Sequence, residues 1–228
     1  MAMLFRQLFD PDSSTYSYLL ASRGDALLID PVQRNLDQYL ELLRELDLRL
    51  VFAADTHTHA DHITALGDLR DEVGCVTLMG EQCHAECVSR RLRDGEKFGV
   101  GEIELRAMYT PGHTDESYSY VMSDRVFTGD ALLIRGTGRT DFQNGDPYAA
   151  YDSLFNKLLK LPDDTLVYPG HDYKGWTVST IGEERAHNPR LKVKSAEQYA
   201  AMMKALKLPT PKQMDVALPA NLRCGRIA

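Results

Sequence analysis

No stretch of this chain is apolar for long enough to span a bilayer, and its N-terminus lacks the basic-then-apolar pattern of a signal peptide. The sequence is therefore expected to be soluble and cytoplasmic; a mitochondrial matrix protein that has lost a presequence would read the same way. A basic surplus is missing as well. The formal net charge of −7 argues against a nucleic-acid partner, which needs a cationic face. Cysteine is scarce: Cys75, Cys83, Cys87 and Cys224 are too few and too irregularly spaced for a disulfide framework or a zinc ribbon. All four are expected to be reduced thiols, with Cys83 and Cys87 on a buried helix as small apolar residues. The single tryptophan, Trp176, is expected in the core. Repeats, low-complexity tracts and flexible linkers are absent. What remains is a globular composition, 43 % hydrophobic and 26 % charged, in 228 residues that can form one domain, 1–228, with a C-terminal extension from about residue 175 packed on it.

The N-terminal part reads as strands at Leu4–Phe9, Thr15–Leu20 and Ala26–Asp30, with a turn at Arg23-Gly24-Asp25. Asn35 is placed to cap a helix running to about Leu46, with Leu36, Leu40, Leu43 and Leu46 on one face. A strand over Arg49–Ala54 precedes a helix beginning near His62 and ended by Gly74, then a strand over Cys75–Met79. This alternation predicts an α/β fold. Period-two alternation over Glu102–Met108 gives a further strand, and Ser123-Asp124 suits the turn of a hairpin between Tyr118–Met122 and Arg125–Thr128. Asp146 and Pro147 suit the cap and first position of a helix to about Leu161. A strand at Thr165–Tyr168 and a capping box at Ser195 and Gln198 complete the pattern.

The informative segment is Thr56-His57-Thr58-His59-Ala60-Asp61-His62, which follows the buried strand directly. Imidazole nitrogens mixed with a carboxylate suit Zn, Fe or Mn rather than Mg or Ca, which take oxygen almost alone. Strand carboxyl ends are where open α/β sheets place their sites. The same pattern, strand then glycine then ligand-type residue, recurs at His113, Asp130 and His171. Together these four strand ends can converge on one pocket.

His57-Thr58-His59-Ala60-Asp61-His62 followed by His113, Asp130 and His171 resembles the metallo-β-lactamase superfamily. That resemblance implies an αβ/βα sandwich of two mixed sheets flanked by helices, with a short C-terminal helical tail. In the superfamily's hydrolases the equivalents of His57, His59 and His113 bind one zinc. Those of Asp61, His62 and His171 bind a second, and that of Asp130 bridges.

The run from Phe127 to Phe142, together with Tyr168-Pro169-Gly170-His171-Asp172-Tyr173, Glu184-Arg185, Asn188-Pro189-Arg190-Leu191 and the tail Val216–Gly225, is similar to the persulfide dioxygenases within that superfamily. This narrower resemblance implies one Fe(II) per chain and oxidation of glutathione persulfide by dioxygen and water to sulfite and glutathione. It implies His57, His113 and Asp130 as iron ligands, with His59, Asp61, His62 and His171 as their hydrogen-bonding supports. The residue set alone could equally hold two metals. Arg139 resembles a family position near the glutathione site, where it could grip a substrate carboxylate; the alternative is a loop arginine holding Asp141 or Asp146. Tyr173 could reach substrate with its hydroxyl or serve in packing. The competing reading is a glyoxalase II-like dinuclear zinc hydrolase of S-acyl glutathione. The Leu132-Leu133-Ile134-Arg135 run and the short tail after His171 stand against it. A non-catalytic metal-binding protein on the same fold would be expected to lack a ligand, and none is lacking. The sequence is compatible with a homodimer.

Overall fold

A computed structural model of the chain describes residues 3–210 and 213–226. Its first sheet runs β1 (Leu4–Asp10), β2 (Thr15–Ser22), β3 (Asp25–Ile29), β4 (Arg49–Ala54), β5 (Val76–Gly80) and β6 (Arg90–Leu92), in that spatial order. The first three are antiparallel and the rest join in parallel. Parallel neighbours require crossovers, which α1 (Leu36–Glu45) and α2 (Leu66–Val73) supply. The second sheet holds β7 (Lys97–Val100), β8 (Ile103–Tyr109), β9 (Tyr118–Val121) and β10 (Arg125–Gly129) as an antiparallel meander. A separate small hairpin, β11 (Leu132–Leu133) with β12 (Gly136–Thr137), follows β10 in the chain. Then β13 (Leu166–Pro169) pairs in parallel with β10, and β14 (Ser179–Thr180) forms the edge.

Both sheets are buried on both faces. Along β2, Tyr18 and Leu20 face a central core with Leu27, Leu105, Tyr120 and Phe127 between the sheets. Leu19 and Ala21 face outward onto Tyr39, Leu43, Leu66 and Leu69 of α1 and α2. The second sheet turns Val126 and Val167 to an outer layer with Leu154, Leu158, Tyr199 and Met203. That layer is built by α3 (Pro147–Asp152), continued by a π turn and a 3-10 turn to Lys160, by α4 (Ile181–His187) and by α5 (Ala196–Ala205). The tail helix α6 (Met214–Asn221) crosses back to the first sheet. The expected αβ/βα sandwich is present. Among the described residues no helix is long and apolar enough to cross a membrane.

Asp146 caps α3 by accepting from Tyr148 N at 2.8 Å, and Ser195 caps α5 by accepting from Gln198 N at 3.3 Å. Several expectations are corrected. Asn35 makes no side-chain cap, because a 3-10 turn at Gln33–Asn35 already leads into α1. The helix expected from His62 starts only at Leu66, since 62–65 are held as a loop by the bridge between Val32 and Thr64. Cys83 and Cys87 lie in a loop, not on a helix, and the thiols are not all reduced. Cys87 and Cys224 form a disulfide across 137 residues, because the tail folds back until their Cα atoms are 6.0 Å apart. Only Cys75 and Cys83 are free, both buried. Trp176 is 40 % exposed rather than core, its indole lying against the cations of Arg135 and Lys174.

Candidate metal centre

Four strand ends and their loops meet at one edge of the sandwich: β4 leads into His57–His62, β8 into His113, β10 into Asp130 and β13 into His171. Gly129 turns the chain with φ +49°, a conformation that glycine enters without strain. A Cβ on Gly170 would stand 2.9 Å from Asp130 Oδ1, so the close approach of β13 to that carboxylate depends on its absence.

His57, His113 and Asp130 each bring one donor atom into a group whose members lie within 4.8 Å of one another. The other atom of each is engaged. Thr56 Oγ1 donates to Asp30 Oδ2 at 3.0 Å, which leaves it to accept from His57 Nδ1 at 3.0 Å. His57 Nε2 then keeps its lone pair. His113 Nδ1 lies 2.8 Å from the carbonyl of Arg139, an acceptor only, so it donates and Nε2 is again free. Asp130 Oδ1 accepts from His171 Nδ1 at 2.6 Å, leaving Oδ2, 3.7 Å from His113 Nε2. Two imidazole nitrogens and one carboxylate oxygen on one face fit a first-row metal such as iron, with further positions left open.

The neighbouring set is arranged differently. His171 Nε2 meets Asp61 Oδ2 at 2.8 Å, so both its ring nitrogens serve carboxylates. Burial disfavours the imidazolium, yet Asp130 and Asp61 outweigh it and hold His171 well above its ordinary pKa. Asp61, despite burial, is held well below the usual carboxylate range by His171 and His62. His62 Nδ1 donates to Asp61 Oδ2 at 2.9 Å, and Thr15 Oγ1 sits among all three. Asp61, His62 and His171 are thus brought together as a hydrogen-bonded chain. His59 lies deeper, with Nε2 3.2 Å from Asp30 Oδ1; burial works against its charge, but Asp30, Asp55 and Asp61 raise it to about 9. Asp55 beside it is pushed up to about 8 by burial, with Asp30 adding and His59 opposing.

Asp130 and His113 open onto a cavity of about 620 Å³, walled by Asp12–Ser14, residues 133–139, Phe142, His171–Lys174, Arg190 and Leu208–Thr210. Arg139 lines it, but its guanidinium holds Asp141 in a fork at 2.7 and 2.9 Å and lies over Phe142 at 4.3 Å. Tyr173, 72 % exposed, stacks parallel to His171 at 6.0 Å. Arg190 is different: it donates to the carbonyl of Thr137 and has no carboxylate at ion-pair distance among the described residues. Burial pulls its pKa below the ordinary arginine value.

Sequence reasoning missed Thr15, Asp30, Arg190 and Asn221. Asp30 had a signal, an aspartate before proline at the end of a buried strand, where φ is +50°. Arg190 stood in a recognised stretch without a role assigned.

The family model of the metallo-β-lactamase superfamily matches residues 10–82 and 88–171. The chain is 46 % identical over 228 residues to the human mitochondrial persulfide dioxygenase ETHE1, covering 98 % of this chain and 89 % of that one. The crystal structure of ETHE1 from Myxococcus xanthus superposes with a TM-score of 0.95 at 52 % identity, over 98 % of this chain and 100 % of that one. A metallo-β-lactamase from Staphylococcus aureus, 23 % identical, shares the fold with a TM-score of 0.92, over 100 % of this chain and 74 % of that one.

Proposed function

This chain belongs to the metallo-β-lactamase superfamily and, within it, to the persulfide dioxygenases, and from that premise we propose that one Fe(II), held by His57, His113 and Asp130, serves the oxidation of glutathione persulfide. Dioxygen and water are the co-substrates; sulfite and glutathione are the products. The observation that carries the metal assignment is the state of the ligand atoms. Three are free and convergent, while His171, one nitrogen of which a second metal would need, is hydrogen-bonded through both nitrogens to Asp61 and Asp130; His59, Asp61 and His62 form a neighbouring group of similar spacing. The glyoxalase II-like reading gives way to the persulfide dioxygenase relatives.

Iron bound there would supply adjacent open positions and the redox chemistry with dioxygen that no side chain in the cavity has. The protein's own part is positioning and charge. Thr56 and the Arg139 carbonyl fix the tautomers of His57 and His113, and His171 holds the Asp130 carboxylate by one oxygen. His171 Nε2 also lies 2.8 Å from Asp61 Oδ2, close enough to share a proton with it. The persulfide of glutathione ends a tripeptide with two carboxylates, and the chain's net charge opposes its approach. Arg190 is the guanidinium with capacity for such a carboxylate; Arg139 already has its charge paired with Asp141 and a further donor on the carbonyl of Pro209, and contributes chiefly through its backbone. Tyr173 forms an open rim of the same cavity. The proposed location is the cytoplasm, with the mitochondrial matrix as the alternative.

Metal analysis of anaerobically purified protein, paired with oxygen uptake on glutathione persulfide, tests this reading. About one iron per chain and uptake linked to sulfite are expected. Two tightly held zinc ions with thioester hydrolysis and no oxygen uptake would overturn it.

A further inference from the structure

The metal-bearing loop is held from behind by a residue 159 positions away in sequence. Asn221, at the end of α6 and 4 % exposed, donates through Nδ2 to the carbonyls of His59 and His62, both at 2.8 Å. Its Oδ1 accepts from Thr64 N at 2.9 Å. All of its side-chain hydrogen-bonding atoms are therefore spent on the backbone of one six-residue stretch, 59–64, which carries His59, Asp61 and His62 and begins two residues after His57. Asn221 touches neither the cavity nor any ligand atom.

The tail around it is fastened to the same region. Gly67 N donates to Cys224 O at 2.9 Å, Glu86 N to Leu222 O at 3.3 Å, and Gln33 Nε2 to Gly225 O at 3.2 Å. Gly225, at φ +88°, lies so close that a Cβ there would meet Thr64 O at 2.1 Å. The Cys87–Cys224 disulfide ties the segment down covalently.

We infer that Asn221 is a positioning residue for the metal centre and that the tail helix acts as a clasp on the loop from His57 to Thr64. The physical reason lies in what the loop lacks. It is buried, yet residues 59–64 form neither helix nor a regular strand, so their backbone groups need partners from elsewhere. One amide side chain has the geometry to serve two carbonyls and one N–H at once. Fixing those three points fixes the course of the loop that carries Asp61 and leads away from His57, and contacts that support a metal site typically govern its affinity by about 10–100-fold. The inference rests on the assignment of His57 as a ligand, but the bonds themselves do not.

Two variants test it, each read in metal-free protein and with Co²⁺ as probe. Asn221→Ala is expected to lose amide-exchange protection at Thr64 while β8 and β10 keep theirs. It should bind Co²⁺ about 10–100-fold more weakly, with an altered visible spectrum. Asn221→Asp keeps the acceptor for Thr64 but turns a second oxygen on two carbonyls. Thr64 should then stay protected while Co²⁺ affinity still falls, which a loss of general stability would not produce. Either variant binding Co²⁺ within twofold of the parent, with the parental spectrum, overturns the inference. A parent protein that holds no iron while both variants behave as stated would sink the ferrous reading and leave the clasp standing.

Discussion

Two histidine–carboxylate clusters lie side by side in this protein, and they differ in what their second atoms do. In His57, His113 and Asp130 one atom of each side chain is tied to Thr56, the Arg139 carbonyl or His171, and the other converges on a shared point. In Asp61, His62 and His171 the side chains are tied to one another and both nitrogens of His171 meet carboxylates, although the buried Nε2 of His62 has no partner among the described residues. Residue type is the same in both. Ligand competence is therefore a property of the partner on the far side of the ring, which fixes the tautomer and decides whether a lone pair remains.

The comparison is sharpest where a ligand is removed. His113→Ala or Asp130→Ala leaves two protein donors on an open face, and iron content measured after purification is expected to fall to near zero, with oxygen uptake abolished. His62→Ala or His171→Ala removes a member of the closed cluster instead. Iron should be retained at about one per chain, with turnover reduced about 10–100-fold. Equal loss of iron in all four variants would erase the distinction between the clusters and point to a dinuclear site.

A similar contrast separates the two arginines of the cavity. Arg190→Ala is expected to raise KM for glutathione persulfide by roughly tenfold, the scale of one charge-assisted hydrogen bond of about 1.5 kcal/mol, with iron content unchanged. Arg139→Ala breaks the fork to Asp141 and the contact with Phe142 but frees no empty anion site, so its effect on KM should be the smaller. A larger KM effect at Arg139 than at Arg190 would restore Arg139 as the carboxylate clamp.

The members of both clusters could be read from the chain. Ligand-type residues announced themselves because each follows an apolar strand and stands within a short motif or beside a glycine. Their supports did not. Thr15 and Asp30 are ordinary strand-end residues until the sheet brings them against His171 and Thr56. Periodicity located β1 to β5, β8 to β10 and β13, and missed β6, β7, β11, β12 and β14, which are too short or too exposed to show a pattern. It misplaced the start of α2, since a loop pinned by Val32 and Asn221 has no pattern of its own. Trp176 was expected in the core; Asp172 Oδ2 accepts from its backbone N at 2.6 Å and holds it in a turn at the surface. The disulfide was invisible because nothing local relates Cys87 to Cys224.

That disulfide supplies the smallest and most separable difference, between the tail's covalent tie and its hydrogen-bonded one. Denatured protein kept from reductant should titrate two thiols per chain, Cys75 and Cys83, and four after reduction. Cys87→Ser opens a loop of 137 residues, for which a loss of about 2–4 kcal/mol is typical. At roughly 2–4 °C per kcal/mol for a chain of this size, the thermal midpoint should drop by about 5–15 °C. Iron content and turnover at 25 °C should hold, because the bonds of Asn221 to His59, His62 and Thr64 are untouched. Stability lost with the metal centre intact separates the two fasteners. If Cys87→Ser sheds iron as readily as Asn221→Ala, the loop is held by the tether rather than by the amide. An unchanged midpoint would mean that the tie adds nothing to a tail already held by its hydrogen bonds.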